Sequence, residues 1–262
     1  MSKTSMSTVD KALALLRYFS VQHPEIGLSE LSRLAGYDKT TILRCMTALE
    51  RNGFIEQSPE TKRYRLGLAP ATYARIRERS FPLMAFLQPQ MDRLAANTGE
   101  TAHATVVTGH ILMTVQISEP DRATRVYIDP SIPLPVHATA SGIVIAAHLP
   151  DAQRADLVAH SAFQQFTDST TVDPQLFNDQ LARARAQGFA RADRSFENDV
   201  MGTAAAFFGP NGVLGGAVAV AAVASRFDAR VEARIVQEVR AAAASVTQQL
   251  GGTLPTAPAG GN

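Results

Sequence analysis

Hydrophobic positions recur along this chain in two rhythms: every third to fourth residue in some stretches, as in a helix with one buried face, and every second residue in others, as in a strand. Val9, Leu13, Leu16 and Phe19 form the apolar stripe of a first helix, predicted from a Ser7/Asp10 capping box to about Gln22. Residues 29–35 give a second, short helix. After the Gly36-Tyr37 turn a third begins at the N-cap Asp38 and carries Ile42, Met46 and Leu49 on one side. At about 100° per residue, Thr40, Arg44, Thr47 and Arg51 fall on the opposite side. Two short strands at 54–56 and 64–66 follow, joined by a polar loop at 57–63. A helix with an arginine-rich face and a Tyr73-Ile76 contact is predicted over 69–79. Another spans 81–97, where Pro89 either kinks it or starts its second part and Gly99 ends it.

The rest of the chain interleaves both rhythms. Strands are predicted at 102–107, 110–117 and 124–128, with a turn at Thr108-Gly109, and the run 137–142 leads into an apolar helix ending near Leu149. Helices follow at 151–159 and 174–187, strands at 189–193, 203–208 and 215–222, and a closing helix at 228–250. The predicted fold class is α+β, a largely antiparallel sheet with helices enough to cover one face. The predicted domains are a winged helix-turn-helix at 1–68, a linker helix at 69–80, a second domain at 81–250 and a disordered tail at 251–262.

Charge sharpens this division. The net charge of +1 hides 13 Lys plus Arg against 8 Asp plus Glu in residues 1–79, and 12 against 16 in 80–262. All four lysines, Lys3, Lys11, Lys39 and Lys62, lie in the first part, which carries the electrostatic footprint of a phosphate binder. The third helix is sized for a major groove, with Lys39, Thr40, Thr41, Arg44, Thr47 and Arg51 as its reading face. Lys62, Arg63 and Arg65 would form a cationic wing for phosphate or a minor groove. The expected partner is double-stranded DNA with a pseudo-palindromic operator, held by a homodimer at least. No apolar run approaches the ~20 residues of a membrane span, the longest being 213–224, and no signal-peptide pattern opens the chain, so a cytoplasmic protein is expected.

Catalytic patterns are weak. Ser141, His137 and Asp193 can be written as a triad, but no G-x-S-x-G elbow surrounds Ser141. His103, His110, His137, His148 and His160 are scattered without metal-ligand spacing, and Cys45, the single cysteine, falls toward the packed side of the third helix. No enzyme, metal or other cofactor is expected.

The order of parts resembles the IclR family of transcriptional regulators. The matching runs are TGET at 98–101, LPVHATASG at 134–142, and the stretch from Gln187 through AAAFFGPNGVLGGAVAV at 204–220, a likeness over about residues 6–250. The resemblance implies a GAF-like effector domain that binds a small organic acid and changes how a homodimer or tetramer holds its operator. Departures are Ser195 and Asp199, where many relatives carry a glutamate and then a glycine, Ala206 in place of a proline, and Ala219 and Ala221 in place of serines. From the residues themselves, a Thr139 cap leaves the N–H groups of Ala140 and Ser141 as a ready anion site, or as an ordinary capped helix end. The resemblance favours the site. It places Val126, Ile128, Leu134 and His137 on one side, Val200, Gly202, Ala219 and Ala221 opposite, and Asp193 near the rim. Such walls predict an aromatic or apolar monocarboxylate as effector. The alternative is a DNA-tethered docking module that binds no metabolite.

Overall fold

The computed structural model describes residues 7–80 and 82–255, so part of the predicted tail (256–262) and the Phe81 start of the fifth helix lie outside the described residues. The chain divides into two compact units, Met1–Pro82 and Leu83–Asn262.

In the first unit, α1 (Thr8–Leu15) opens with the expected Ser7/Asp10 capping box and passes into a 3-10 turn, Leu16–Tyr18, rather than continuing to Gln22. Its inward face is Leu15 and Phe19 with Ala12 and Leu16. Val9 and Leu13, expected in the core stripe, are 66% and 50% exposed. The missing strand of the prediction is β1 (Glu25–Ile26), too short to show a period of two. It leads into α2 (Leu28–Ala35) and, through Gly36 at a left-handed φ of 69°, into α3 (Lys39–Arg51). Ile42, Cys45, Met46 and Leu49 bury one face of α3. The wing strands β2 (Ile55–Gln57) and β3 (Tyr64–Leu66) pair antiparallel, and β1 adds to the far side of β3. Burial of Cys45 at 1% exposure raises its thiol above the ordinary range, which suits a packing role. Helix α4 (Ala69–Ser80) buries none of its residues.

In the second unit, α5 (Leu83–Thr98) runs through Pro89 and stops at Gly99, whose N–H reaches the Ala95 carbonyl. The strands β4 (Thr101–Thr108), β5 (Ile111–Ser118), β6 (Ala190–Asp193), β7 (Val200–Phe208) and β8 (Leu214–Val223) form one sheet in the order β5-β4-β8-β7-β6. Every pairing in it is antiparallel. Helices α6 (Ala140–His148), α7 (Asp151–Ala159) and α8 (Pro174–Gln187) join the alanine-rich side of the sheet, while α5 and α9 (Ala229–Gln249) join the other. The sheet is therefore covered on both faces, not one. Alternation along β7 and β8 was legible as strand, but both parities are apolar, the signature of a strand buried twice.

The predicted strand at 124–128 is not formed. Residues 119–139 run as an irregular segment held at discrete points: Thr101 Oγ1 donates to the Val126 carbonyl at 2.6 Å, Arg226 Nη2 to the Thr124 carbonyl at 3.1 Å, and the Leu134 N–H to the Leu112 carbonyl at 2.9 Å. Arg226 is itself held bidentately by Glu100, 2% exposed, at 2.6 and 2.8 Å. Gly252, expected in the tail, still donates to the Thr247 carbonyl.

Candidate nucleic-acid interface and effector site

Helix α3 owes its start to Asp38, whose carboxylate accepts from the Thr41 hydroxyl at 2.7 Å and the Thr41 N–H at 2.9 Å. These bonds, the hydroxyl foremost, hold the Asp38 carboxyl below its ordinary range. Thr41 thus spends its hydroxyl proton on the cap and keeps only acceptor capacity. Lys39, Thr40, Arg44, Thr47 and Arg51 are exposed together, opposite the buried face. Leu43, 47% exposed, lies among them and was missed. Its signal was present, three residues after Thr40 and four before Thr47, and an aliphatic side chain there suits a thymine methyl.

The wing differs from its sequence reading. Arg63 Nη2 donates to the Glu25 carbonyl at 2.8 Å and meets Glu30 at 3.1 Å, while Arg65 Nε meets Glu56 at 2.6 Å and its Nη1 lies 3.9 Å from Glu25. Both arginines neutralise carboxylates within their own unit, so neither is the free phosphate-holding cation that was expected. Lys62 sits at the turn with φ 57°, its N–H bonded to the Ser58 carbonyl, and is exposed. The cationic tip reduces to Lys62.

In the second unit, Thr139 caps α6: its hydroxyl accepts from the Gly142 N–H at 3.1 Å and donates to the Pro135 carbonyl at 2.7 Å. As the first N–H groups of the helix, those of Ala140 and Ser141 have no acceptor within it. A Cβ on Gly202 would stand 3.3 Å from the Ala140 Cβ and 3.7 Å from the Ala140 nitrogen, so β7 comes to the helix N-terminus at a residue without a side chain. Gly202 pairs with Ala221, and Ala221 with Thr101, whose hydroxyl anchors Val126. Val200, Gly202, Ala219 and Ala221 share the α6 side of the sheet by strand parity. Val126, Ile128 and Leu134 are half-buried, and Leu134 packs on the α6 core.

Two expected members are drawn elsewhere. Asp193 pairs with Met201, which belongs to the α5/α9 core, so its side chain leaves the sheet on the wrong face; it is exposed and meets Arg194 at 3.5 Å. It lines a cleft of about 510 Å³ along the outer edge of β6 with Arg183, Arg191 and Arg194. A one-residue parity, invisible without the register, decided this. His137 is buried, stacked on Phe163 at 4.6 Å, with its Nε2 2.8 Å from the Gln164 carbonyl. His103 was not expected: 7% exposed on β4, its Nε2 lies 3.4 Å from Ser141 Oγ and its Nδ1 has no partner. Burial lowers its pKa to about 4, so it is neutral near pH 7.

Comparison with known proteins agrees with this architecture. The IclR helix-turn-helix domain model matches residues 8–59, and the bacterial transcriptional regulator IclR C-terminal model matches 79–248. The HTH-type transcriptional regulator XynR of Escherichia coli is 26% identical over 246 residues, covering 94% of this chain and 98% of that one. A solved structure from Silicibacter sp. TM1040, described as an IclR transcriptional regulator, superposes with a TM-score of 0.86 at 35% identity, covering 95% and 98% of the two chains. An IclR homologue from Microbacterium hydrocarbonoxydans, solved with 4-hydroxybenzoate, reaches a TM-score of 0.76 at 21% identity, covering 94% and 99%. With both halves matched in order, the chain belongs to the IclR family of DNA-binding transcriptional regulators.

Proposed function

We propose that this regulator binds a pseudo-palindromic operator as a dimer or higher oligomer, and that a small monocarboxylate with an aromatic or apolar body, held at the N-terminus of α6, changes that binding. The observation that carries the effector reading is the juxtaposition of Gly202 with Ala140: the first residue of α6, at the positive end of the helix, lies against a strand position without a side chain. A carboxylate takes the N–H donors of Ala140 and Ser141, and the ring or chain beyond it meets Ala221, Val200 and Leu134. His103, neutral and with Nδ1 unpartnered, adds a polar group beside this helix end, its Nε2 3.4 Å from Ser141 Oγ. The fold relative solved with 4-hydroxybenzoate agrees in ligand class.

On the DNA side, α3 enters the major groove with Lys39, Thr40, Leu43, Arg44, Thr47 and Arg51, and Lys62 approaches phosphate. Oligomerisation is supported by apolar surface that the first unit leaves in water: Val9 and Leu13 on α1, and Tyr73 and Ile76, 58% and 57% exposed, on α4. The test combines footprinting with thermal shift. A ligand that binds only the folded protein raises its stability by RT ln(1 + [L]/Kd), so 4-hydroxybenzoate and related aromatic monocarboxylates should raise Tm and alter a footprint of two half-sites. A footprint of one half-site from a monomer, or no Tm response to any monocarboxylate, refutes the corresponding half of the reading.

A further inference from the structure

The fold brings together two histidines that stand 50 residues apart in the sequence. His110 follows the Thr108-Gly109 turn between β4 and β5, while Asp156 and His160, four residues apart, share one side of the C-terminal end of α7. His110 Nδ1 lies 3.0 Å from one oxygen of Asp156, and His160 Nδ1 lies 3.5 Å from the other. One donor atom from each of the three residues falls within 4.8 Å of the others. We propose that His110, Asp156 and His160 form a binding site for a divalent transition-metal ion of the zinc class, which fastens the β4–β5 turn to the end of α7.

The spacing is compatible with a shared ion. With metal–ligand bonds of about 2.0–2.1 Å, two ligands of one tetrahedral ion stand about 3.3 Å apart; the imidazole nitrogens lie 3.0 and 3.5 Å from different oxygens of Asp156, so one oxygen turned between the two rings would serve a single ion. Two imidazoles and one carboxylate are the borderline donor set that zinc, nickel and copper prefer, and magnesium and calcium do not. Three protein ligands leave a fourth position for water. The side chains are 45–55% exposed, so the ion has direct access and needs little desolvation of the site. Ion pairing alone contributes little at such exposure, and the two rings are stacked with centroids 3.8 Å apart. In the metal-free protein His160 Nδ1 lies 2.8 Å from the Asp156 carbonyl oxygen and donates to it. Binding through Nδ1 moves that ring proton to Nε2 and exchanges the hydrogen bond to the carbonyl for the metal.

The clamp has a local consequence. The segment just after His160 supplies Phe163, stacked on His137, and Gln164, whose carbonyl is bonded to His137. Fixing His160 to the β4–β5 turn therefore steadies the residues packed around His137, three positions before α6. This inference does not depend on an effector.

The test uses untagged, full-length protein freed of metal by chelator and dialysis. Titration with zinc chloride against a competing colorimetric chelator, with thermal shift in parallel, should give one equivalent per chain and a higher Tm in wild type. His110→Ala and His160→Ala should each weaken binding at least tenfold and abolish the Tm response, and Asp156→Asn should weaken it. All three positions are exposed, and far-ultraviolet circular dichroism should report unchanged folds. Cobalt added to wild type should give the visible absorption of a low-symmetry four-coordinate ion, and the His110→Ala variant should not. Equal zinc affinity in wild type and in a His110→Ala/His160→Ala double variant, or binding that responds only to changes elsewhere, overturns the proposal.

Discussion

Ala140→Pro isolates the anion-binding element of the proposed effector site. Residue 140 is the first of α6, where proline is well tolerated because its missing N–H has no acceptor in the helix. The preceding residue, Thr139, is extended at φ −122° and ψ 146°, the conformation that a following proline demands. Folding stability should therefore change by less than about 1 kcal/mol. What disappears is one charge-facing donor, which should weaken effector binding by about 1–3 kcal/mol, or about five- to 150-fold in Kd. Calorimetry with the identified effector measures this, and a gel-shift titration without effector should give wild-type operator affinity. Wild-type Kd in the variant would refute the placement of the carboxylate, whereas loss of operator affinity without ligand would show that α6 does more than bind.

Further outcomes follow from the same geometry. Arg44→Ala should cost about 1–3 kcal/mol on the operator and relax preference at one position per half-site, read by binding to a set of operator variants. Lys62→Ala should flatten the salt slope by about one per half-site, while Arg63→Ala should leave that slope unchanged and lower the stability of the first unit by about 0.5–1 kcal/mol, because its charge is spent on Glu30. Arg226→Ala strands the Glu100 carboxylate at 2% exposure and should cost about 3 kcal/mol in urea unfolding; a loss below 1 kcal/mol refutes the role given to the pair. His103 titrates near 4 in the folded chain against an ordinary 6.5, so the unfolded chain binds more protons between those values. Its contribution is intact above pH 6.5 and falls away by about 3 kcal/mol as pH drops toward 4, and His103→Gln should make the stability-pH curve shallower across that window.

The helices were legible because their signals are local. The Asp38 cap, the apolar side of α3 and the Gly99 stop after α5 all act within a few residues of where they stand. Features that depend on a partner far along the chain were not. Arg63 and Arg65 read as free cations because Glu25, Glu30 and Glu56 reach them only across strand pairings. Val9 and Leu13 fitted a helical stripe as well as Ala12 and Leu15 do, and only packing chooses between two stripes one residue apart. Asp193 failed for a related reason, since its face depends on where β6 meets β7. The segment at 124–128 has strand-forming residues but is held by hydrogen bonds from Thr101 and Arg226 instead of a ladder.

The small residues on the α6 side of the sheet explain why the proposed recess sits at the helix end and nowhere along its length. Ala204, Ala206, Ala217 and Ala219 let α6 lie close, and a Cβ on Gly142 would stand 2.2 Å from the Val136 carbonyl oxygen, so that stretch has no slack. Between helix and sheet Ile143, Val144, Ile145, Ala146 and Ala147 are all at most 2% exposed, and a space this densely filled admits no ligand without displacing the core. The helix begins against the row Thr101, Ala221 and Gly202, where the proposed site lies. That same row anchors the irregular segment through Thr101 and Val126. A molecule entering there presses on a segment held by a few hydrogen bonds rather than by a strand ladder, so it can move the segment at a cost of about one such bond, roughly 0.5–1.5 kcal/mol. A structure built this way yields at the 119–139 segment before it yields in the sheet, which makes that segment the first place where occupancy of the site should be felt.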